Sequence, residues 1–276
     1  MSMPHETVES HYGKRELYNS IISAFHAAGQ DPDRLTYEDL KLVDEFHIRG
    51  REATEELADR AQLKPGELVL DVGCGIGGSA RYLAATRRVR PIGIDLTPEF
   101  IATANRLTKL VHLEDKVEFR QGNALQLPFP DAAFDVAWTE HAQMNIADKR
   151  GLYGEIARVL KPGGRLAFHD IFAGPASPLH FPVPWADESA ISFLETPDRV
   201  RAILTDLGFK VLEWHDKSQP SVEWMKVAME KMRNGDRPPV GPALLMGDAF
   251  KPKFDNVIRN FADNRITVVM AVVQKA

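Results

Sequence analysis

Residues 68–79 constrain the fold of this chain more than any other stretch. Residues 68–72 form a short apolar, β-prone run that predicts a buried parallel strand. Four glycines among the next six residues let the backbone turn tightly, and a helix is predicted from Ser79 onward. Strand, glycine loop and helix in this order predict an α/β fold with backbone N–H groups around a nucleotide-like ligand at the carboxyl edge of a sheet.

Asp71 decides which nucleotide-like ligand fits this loop. The spacing of Gly73, Gly75 and Gly78 satisfies the dinucleotide fingerprint, and the spacing of Gly73, Gly75 and Gly77 satisfies a second pattern. A carboxylate two residues before the first glycine would repel a pyrophosphate on the same loop, but it suits a ligand with positive charge. S-adenosylmethionine carries an ammonium and a sulfonium group and no phosphate, so it is the favoured ligand.

With an acidic residue followed by Gly-x-Gly-x-Gly, the chain resembles the class I S-adenosylmethionine-dependent methyltransferases. Asp95 strengthens the resemblance, since it ends a second predicted strand 24 residues beyond Asp71, where an acid accepts hydrogen bonds from ribose hydroxyls. A NAD enzyme would use the same device. The segments Phe134-Asp135-Val136 and Lys161-Pro162-Gly163-Gly164 follow in the order typical of the family.

The resemblance implies a cofactor site and a cofactor, S-adenosyl-L-methionine. In the family, an acid at the place of Asn123 accepts a hydrogen bond from the adenine amino group, and the asparagine carbonyl oxygen retains that ability. The cofactor-binding residues expected on this basis lie at strand ends: Asp71, Gly73, Cys74, Gly75, Asp95, Leu96, Asn123, Ala124 and Glu140.

The predicted chemistry requires little from the protein beyond alignment, because a sulfonium methyl is already electrophilic and positioning supplies about 7–11 kcal/mol of barrier reduction. A general base is needed only for an acceptor that arrives protonated. His141, after the fourth predicted strand, is the candidate base or orienting group; an alternative is a histidine that caps the next helix. The residues expected to contact the acceptor are Tyr12, His47, Gln143, Met144, Asn145 and Trp185. No histidine, cysteine or carboxylate pattern predicts a metal site.

The acceptor is predicted less sharply than the cofactor. Residues 182–186 (Pro-Val-Pro-Trp-Ala) and 46–50 resemble the sarcosine/dimethylglycine methyltransferases, which favours an amine acceptor and an aromatic cage around its cation. Relatives often carry histidine near the place of Asn145. Methylation of carbon or oxygen in a quinone, phenol or natural product is the alternative. A NAD-dependent oxidoreductase and a non-catalytic cofactor-binding protein are the other readings.

The order of predicted elements gives the fold class. We expect a doubly wound, seven-stranded, mostly parallel sheet of the Rossmann-like methyltransferase type. Its last strand is the apolar, β-branched run at 266–273, which the resemblance implies pairs antiparallel. The expected divisions are a helical cap at 1–62, a core at 63–217 plus 264–276, and a helical insertion over the active site at 218–263.

Composition and charge bound the partners. A formal charge of −5 gives no basic footprint for nucleic acid, so a small-molecule substrate is expected. One cysteine leaves no intrachain disulfide, and no signal-like or membrane-spanning apolar run is present. These observations predict a cytoplasmic protein that acts away from the membrane.

Overall fold

A computed structural model describes residues 16–234, 240–241, 244 and 249–276. Its centre is a seven-stranded sheet in the order β3-β2-β1-β4-β5-β7-β6. The strands are β1 (Leu68–Val72), β2 (Arg90–Asp95), β3 (Glu118–Gln121), β4 (Phe134–Glu140), β5 (Leu160–Ala173), β6 (Phe209–Asp216) and β7 (Ile266–Lys275). Strands β1 to β5 pair in parallel, and β7 pairs antiparallel with both β5 and β6, so six strands run in one direction and β7 in the other. The fold class predicted from the sequence is confirmed.

Helices follow the strands and cover both faces of the sheet. In the described residues they are α1 (Leu17–Ala27), α2 (Tyr37–Asp44), α3 (Arg51–Arg60), α4 (Gly78–Arg87), α5 (Pro98–Leu110), α6 (Lys149–Val159), α7 (Pro197–Asp206), α8 (Ser218–Arg233) and α9 (Phe250–Ala262). Two of them start with a side-chain cap from the preceding residue. Asp148 accepts from the Gly151 N–H at the start of α6, and α7 begins with a proline after Thr196, which accepts from the Arg199 N–H.

Alternation along the strands separates two apolar layers. In β1, Leu70 and Val72 belong to the cluster that holds residues of α6 and α7, whereas Val69 packs with residues of α3 and α4. In β5, Ala167 packs in the second layer and Phe168 in the first. Both faces of the central strands are therefore buried, as the continuous apolar runs predict for a parallel sheet.

Two predicted boundaries move in the structure. Residues 161–164, predicted as a turn before a strand at 165–170, lie within β5, whose pairing with β4 shifts register between Phe134 and Val136. β4 continues past the predicted end at Trp138 to Glu140. Its longer end carries polar residues to the sheet edge where the site lies.

A buried ion pair joins the N-terminal helices to the glycine-loop helix. The Arg81 guanidinium of α4 donates to the Asp44 carboxylate at the end of α2 (2.7 Å), to the Ile76 carbonyl (2.7 Å) and to the Thr108 hydroxyl (3.0 Å). Both ion-pair side chains are about fully buried (each 1% exposed). Their charges satisfy one another, so this contact fixes residues 44–48 over the sheet edge.

Candidate active site

A cavity of about 350 Å³ lies at the carboxyl ends of β1, β2 and β4. The glycine loop and the ends of β2 and β3 line one half, which we call the cofactor half. Residues 46–48, the segment after β4, residues 184–185 and helices α8 and α9 line the other, which we call the acceptor half. This is the position where open α/β sheets bind ligands.

The glycine loop is held by the protein itself. The N–H groups of Gly73 and Cys74 both donate to the Ile94 carbonyl (2.9 Å each), and the Gly75 N–H donates to the Asp95 carboxylate (3.0 Å). The expectation that these backbone N–H groups surround the ligand is therefore wrong for this part of the loop. These N–H groups are bonded within the protein, which holds the loop in place. The loop therefore contributes the shape of the cavity, and the carboxylates at the strand ends contribute the polar contacts.

Gly73 marks the contact between the two halves of the cavity. Its φ of +78° favours glycine, and a Cβ there would lie 2.4 Å from the Cβ of Ala142, which follows β4. No side chain fits between these backbones. The turn after β1 is thereby packed directly against the segment that carries His141.

Asp71 is a buried carboxylate with one oxygen unused. It is 3% exposed, and its Oδ2 has no hydrogen-bond partner among the described residues. Burial, with the nearby carboxylates of Glu140 and Asp95, raises the pKa of Asp71 well above its ordinary value. A cationic ligand in the cavity would favour the ionised form, so this orphaned oxygen fits a donor that carries an ammonium group.

Asp95 and Asn123 lie on the same half and use part of their hydrogen-bonding capacity locally. Asp95 accepts from the N–H groups of Gly75 and Thr97 (3.0 and 2.9 Å), and the Asn123 side-chain oxygen accepts from the Leu125 N–H (2.9 Å). Each of these oxygens has a further lone pair. The remaining predicted cofactor residues, Gly73, Cys74, Gly75, Leu96, Ala124 and Glu140, also line the cavity.

Glu140 is engaged by the protein more completely than Asp71. Its carboxylate accepts from the Ser79 hydroxyl (2.6 Å), the Trp138 indole N–H (2.9 Å) and the Thr54 hydroxyl (3.3 and 3.4 Å). The side chain is 4% exposed and lies 3.4 Å from Nε2 of His47. Ser79 and Thr54 were not predicted as site residues, since only the fold brings their hydroxyls to the end of β4.

Three histidines meet behind the reacting end of the cavity. The ring centroids of His141 and His169 are 5.1 Å apart, and His47 lies 6.1 and 6.0 Å from them. Burial and the two neighbouring imidazoles lower the pKa of His141 well below its ordinary value, so its ring is neutral at pH 7. His141 also has a φ of 50°, which non-glycine residues adopt rarely and at a cost of about 1–3 kcal/mol. His47 and His141 line the cavity; His169 lies behind them.

The segment after β4 divides the predicted acceptor residues. Met144 and Asn145 line the cavity, and the Asn145 amide donates to the carbonyls of Trp185 and Ile191 (2.7 and 2.9 Å). Gln143 does not line it, so its predicted contact with the acceptor is wrong. Its side chain is buried, accepts from the Tyr153 hydroxyl (3.1 Å), and belongs to the support of the segment.

Two buried charges hold this segment from below. Asp170 accepts from the N–H groups of Ala142 and Gln143 (3.1 Å each), and the Lys149 ammonium donates to the carbonyls of Gln143 (2.6 Å) and Phe193 (2.7 Å). Burial raises the pKa of Asp170 to about 7 and lowers the pKa of Lys149 to about 8. Sequence reasoning missed Lys149, because its carbonyl partners come from two separate loops.

Of the aromatic side chains that could form the predicted cage around the acceptor, the structure describes Trp185 and Phe181. Trp185 lines the cavity, but its ring is 1% exposed and its indole N–H donates to the Ser192 hydroxyl (3.0 Å), so it is a fixed wall. Phe181 packs beside this cluster and does not line the cavity. Tyr12 lies outside the described residues.

The acceptor half has an apolar wall from residues 218–263, where the sequence analysis expects a helical insertion over the active site but names no side chain that faces the cavity. Its side chains come from two helices that are far apart in the chain: Trp224 and Met225 of α8 and Phe254 and Val257 of α9. Methionine spacing in α8 indicates core packing, and Met225 does pack in a buried cluster. Periodicity shows that such a face is apolar, but not that it faces a cavity.

The charges around the cavity are of one sign. Six acidic side chains and no lysine or arginine occur among the described residues that line it. Over the part of the chain that the structure describes, no group of three or more histidine, cysteine or acidic residues could hold a metal ion.

Comparison with known proteins agrees with this geometry. The family model described as a methyltransferase domain matches residues 70–168, which run from β1 into β5. An O-methyltransferase of Pyrenophora dematioidea is 31% identical over 207 residues, which cover 74% of this chain and 75% of that protein. The chain belongs to the class I S-adenosylmethionine-dependent methyltransferases. The methyltransferase uses S-adenosyl-L-methionine, and its relatives give no support to the NAD-dependent and non-catalytic readings.

Other relatives of this methyltransferase differ in the atom they methylate. A 24-methylenesterol C-methyltransferase of Oryza sativa is 34% identical over 185 residues, and a phosphoethanolamine N-methyltransferase of Arabidopsis thaliana is 39% identical over 129 residues. These matches cover 63% and 47% of this chain, which spans only 51% and 26% of the two relatives. The class of reaction is shared, whereas the acceptor varies.

Solved structures of low identity share the fold of the methyltransferase. A geranyl diphosphate C-methyltransferase of Streptomyces coelicolor has a TM-score of 0.73 at 18% identity and covers 100% of this chain and 99% of its own. A Galdieria sulphuraria protein described as a putative sarcosine dimethylglycine methyltransferase has a TM-score of 0.68 at 20% identity, with 94% of this chain and 98% of that chain covered. Among the described residues, no helix is both long enough and apolar enough to span a membrane.

Proposed function

We propose that this methyltransferase methylates the hydroxyl oxygen of an uncharged, largely apolar acceptor such as a phenol or quinol. The observation that carries the proposal is the lining of the acceptor half. It combines Ile48, Met144, Met225, Phe254 and Val257 with two imidazoles, and no lysine or arginine lines the described cavity. Apolar walls with a few polar groups are typical of sites for apolar small molecules.

The same lining argues against the amine acceptors favoured by the sequence. Sarcosine and dimethylglycine carry a carboxylate, and phosphoethanolamine and geranyl diphosphate carry phosphate. Buried anions require a cationic or hydrogen-bonding partner, and no lysine or arginine lines the described cavity to supply a cationic one. Nearby cations are already engaged: Lys253 pairs with Asp187 and Arg51 with Glu45. A neutral acceptor avoids this cost.

The cofactor half fits the donor through Asp71 for the ammonium group, Asp95 for the ribose and Asn123 for the adenine. Bound S-adenosyl-L-methionine supplies an electrophilic methyl group, whose carbon–sulfur bond breaks as the acceptor oxygen bonds to carbon, with the electron pair left on a neutral thioether. His141 accepts the proton that the acceptor hydroxyl loses. A neutral imidazole of low pKa suits an acidic hydroxyl, which supports a phenol over an alcohol or an amine.

His47 and Asn145 orient the acceptor, and Met144 and Trp185 shape its site. These four roles are proposals that their positions on the cavity wall support.

Carbon methylation of the same ring is the second candidate, since it uses the same apolar site and the relatives include a C-methyltransferase. We also propose the cytoplasm as the location, on the single cysteine and the small-molecule chemistry.

The test is a methyl-transfer assay with labelled S-adenosylmethionine and two matched sets of acceptors. The first set is neutral and aromatic (naphthols and substituted hydroquinones); the second is sarcosine, dimethylglycine and phosphoethanolamine. We expect label in the neutral set only, and mass spectrometry distinguishes oxygen from carbon methylation. Methylation of the charged amines without methylation of the phenols would overturn the acceptor assignment.

A further inference from the structure

His169 is a fully buried imidazole to which the proposed reaction assigns no role. It lies in β5, is 0% exposed, and neither ring nitrogen has a hydrogen-bond partner among the described residues. A neutral imidazole has one donor and one acceptor, and buried polar groups are paired in nearly all proteins. Two unpartnered nitrogens in one buried ring therefore require an explanation.

His141 also has a ring nitrogen that lacks a hydrogen-bond partner. Its Nε2 is also buried without a partner among the described residues, and its ring centroid lies 5.1 Å from that of His169, with the planes tilted by 33°. The backbone fixes this proximity, because the His141 N–H donates to the His169 carbonyl (3.0 Å). A hydrogen bond between the two rings requires only rotation about their second side-chain torsion, which is soft.

The third imidazole does not compete for this contact. His47 lies 6.0 Å from His169, but its Nε2 donates to the Gly50 carbonyl (2.9 Å) and lies 3.0 Å from the Thr54 hydroxyl. Because a carbonyl only accepts, the proton of His47 is on Nε2. Among the described neighbours of His169, His141 is the imidazole whose nitrogen is unused.

We infer that His169 is a positioning residue that accepts a hydrogen bond from Nε2–H of His141 and leaves Nδ1 of His141 free as the base. The inference rests on the proposed function, in which His141 takes the proton of the acceptor hydroxyl. That proton adds to Nδ1, while Nε2–H remains bonded to His169, so the positive charge is on the His141 ring and the neutral acceptor nitrogen of His169 stabilises it. A base oriented by a third group is the general logic of catalytic triads.

The charges that face His169 keep it neutral and therefore able to accept. Arg49 lies before α3 and Lys217 before α8; with His47, they lower the pKa of His169, to which burial contributes most. Both cations are held by Glu56, at 2.8 and 2.6 Å. Glu140 and His141 face the ring from β4 and the segment after it. A neutral His169 orients His141 without raising its pKa as a carboxylate would.

The experiment reads the tautomer of His141 directly and needs no acceptor. Protein labelled with ¹⁵N-histidine is saturated with S-adenosylhomocysteine, and long-range ¹⁵N–¹H spectra assign each ring; His141→Asn and His169→Asn identify the two signals among nine histidines. We expect a single Nε2–H tautomer for His141 in the wild type. We expect a mixture of tautomers in His169→Leu. His169→Gln, which retains an acceptor, should restore the single form.

Controls separate this inference from folding and from the proposed function. His26→Leu, on an exposed position of α1, should leave the His141 signal unchanged. If His169→Leu no longer binds S-adenosylhomocysteine, the His141 tautomer is read in His169→Gln instead, and a mixture of tautomers in that variant overturns the inference. With a phenol that the enzyme methylates, His169→Leu should lower kcat at least tenfold and shift the acidic limb of the pH profile, with cofactor Kd changed less than twofold. An unchanged His141 tautomer in His169→Leu overturns the inference, even if methyl transfer to phenols is found.

Discussion

The two halves of the cavity are built by different means. The cofactor half consists of strand ends and the short turns that follow them, with Asp71, Asp95 and Asn123 each at one strand end. The acceptor half brings together five segments that are separated in the chain, and most of its surface is apolar. One half is therefore set by local motifs and charges, whereas the other is set by long-range packing.

Relatives of this chain are named for O-, C- and N-methylation, so the class of reaction is shared and the acceptor differs. In this chain, Gly73 joins the two halves of the cavity through its close approach to Ala142. His141 lies at this junction. Variants in each half should therefore separate turnover, cofactor affinity and acceptor affinity.

The largest effect is expected at the junction. His141→Ala removes the candidate base and should lower kcat roughly 10²–10⁴-fold, the usual gain from general-base catalysis. The Kd for S-adenosylmethionine, measured by calorimetry, should stay within about threefold, because the ring is not assigned to the cofactor. His26→Ala is the matched control on an exposed helix position. A large loss of cofactor affinity with normal kcat would show that the two halves are misassigned.

A smaller effect, of opposite sign for stability and binding, is expected at Asp71. The carboxylate of Asp71 has a raised pKa in the folded protein, so the unliganded wild type loses stability as pH rises above the ordinary aspartate pKa. Asp71→Asn lacks this loss and should have a higher free energy of unfolding at pH 7 and no gain at pH 3. Its Kd for S-adenosylmethionine should rise about tenfold, from the loss of a charge pair.

Denaturant unfolding at pH 3, 5 and 7, without ligand, gives the stability difference, and calorimetry gives the affinity. Asp135→Asn is the matched control: its carboxylate pairs with Lys161, and its pKa is lowered, so that variant should be less stable than the wild type at pH 7. Equal or lower stability of Asp71→Asn at pH 7 would contradict the description of Asp71 as an unpaired buried charge.

The smallest effect is expected on the apolar wall. Phe254→Leu enlarges the acceptor half and should raise KM for a phenolic acceptor about three- to tenfold, as expected for one or two lost methylene-sized contacts. Cofactor Kd should not change. Phe250→Leu is the control, since Phe250 stacks on Phe254 (4.4 Å) but does not line the cavity. Equal KM values for the two variants would remove α9 from the acceptor site.

The sequence by itself determined the sheet, the family and the cofactor. Apolar strand runs, the glycine loop and Asp71 each act within a few neighbouring residues, so their effects can be predicted from the sequence alone. The resemblance to the family also predicted the antiparallel last strand, which is confirmed.

Only the tertiary structure decided the acceptor half. In the folded chain, the Gln143 side chain lies in the core, and the hydroxyls of Ser79 and Thr54 contact Glu140. Helices α8 and α9 together form one wall of the cavity. The tertiary structure also placed His169 behind His141. These contacts join residues separated by tens to more than a hundred positions, and periodicity cannot distinguish an apolar face that packs in a core from one that faces a cavity. Packing chose between them, because only the folded chain fixes which faces meet.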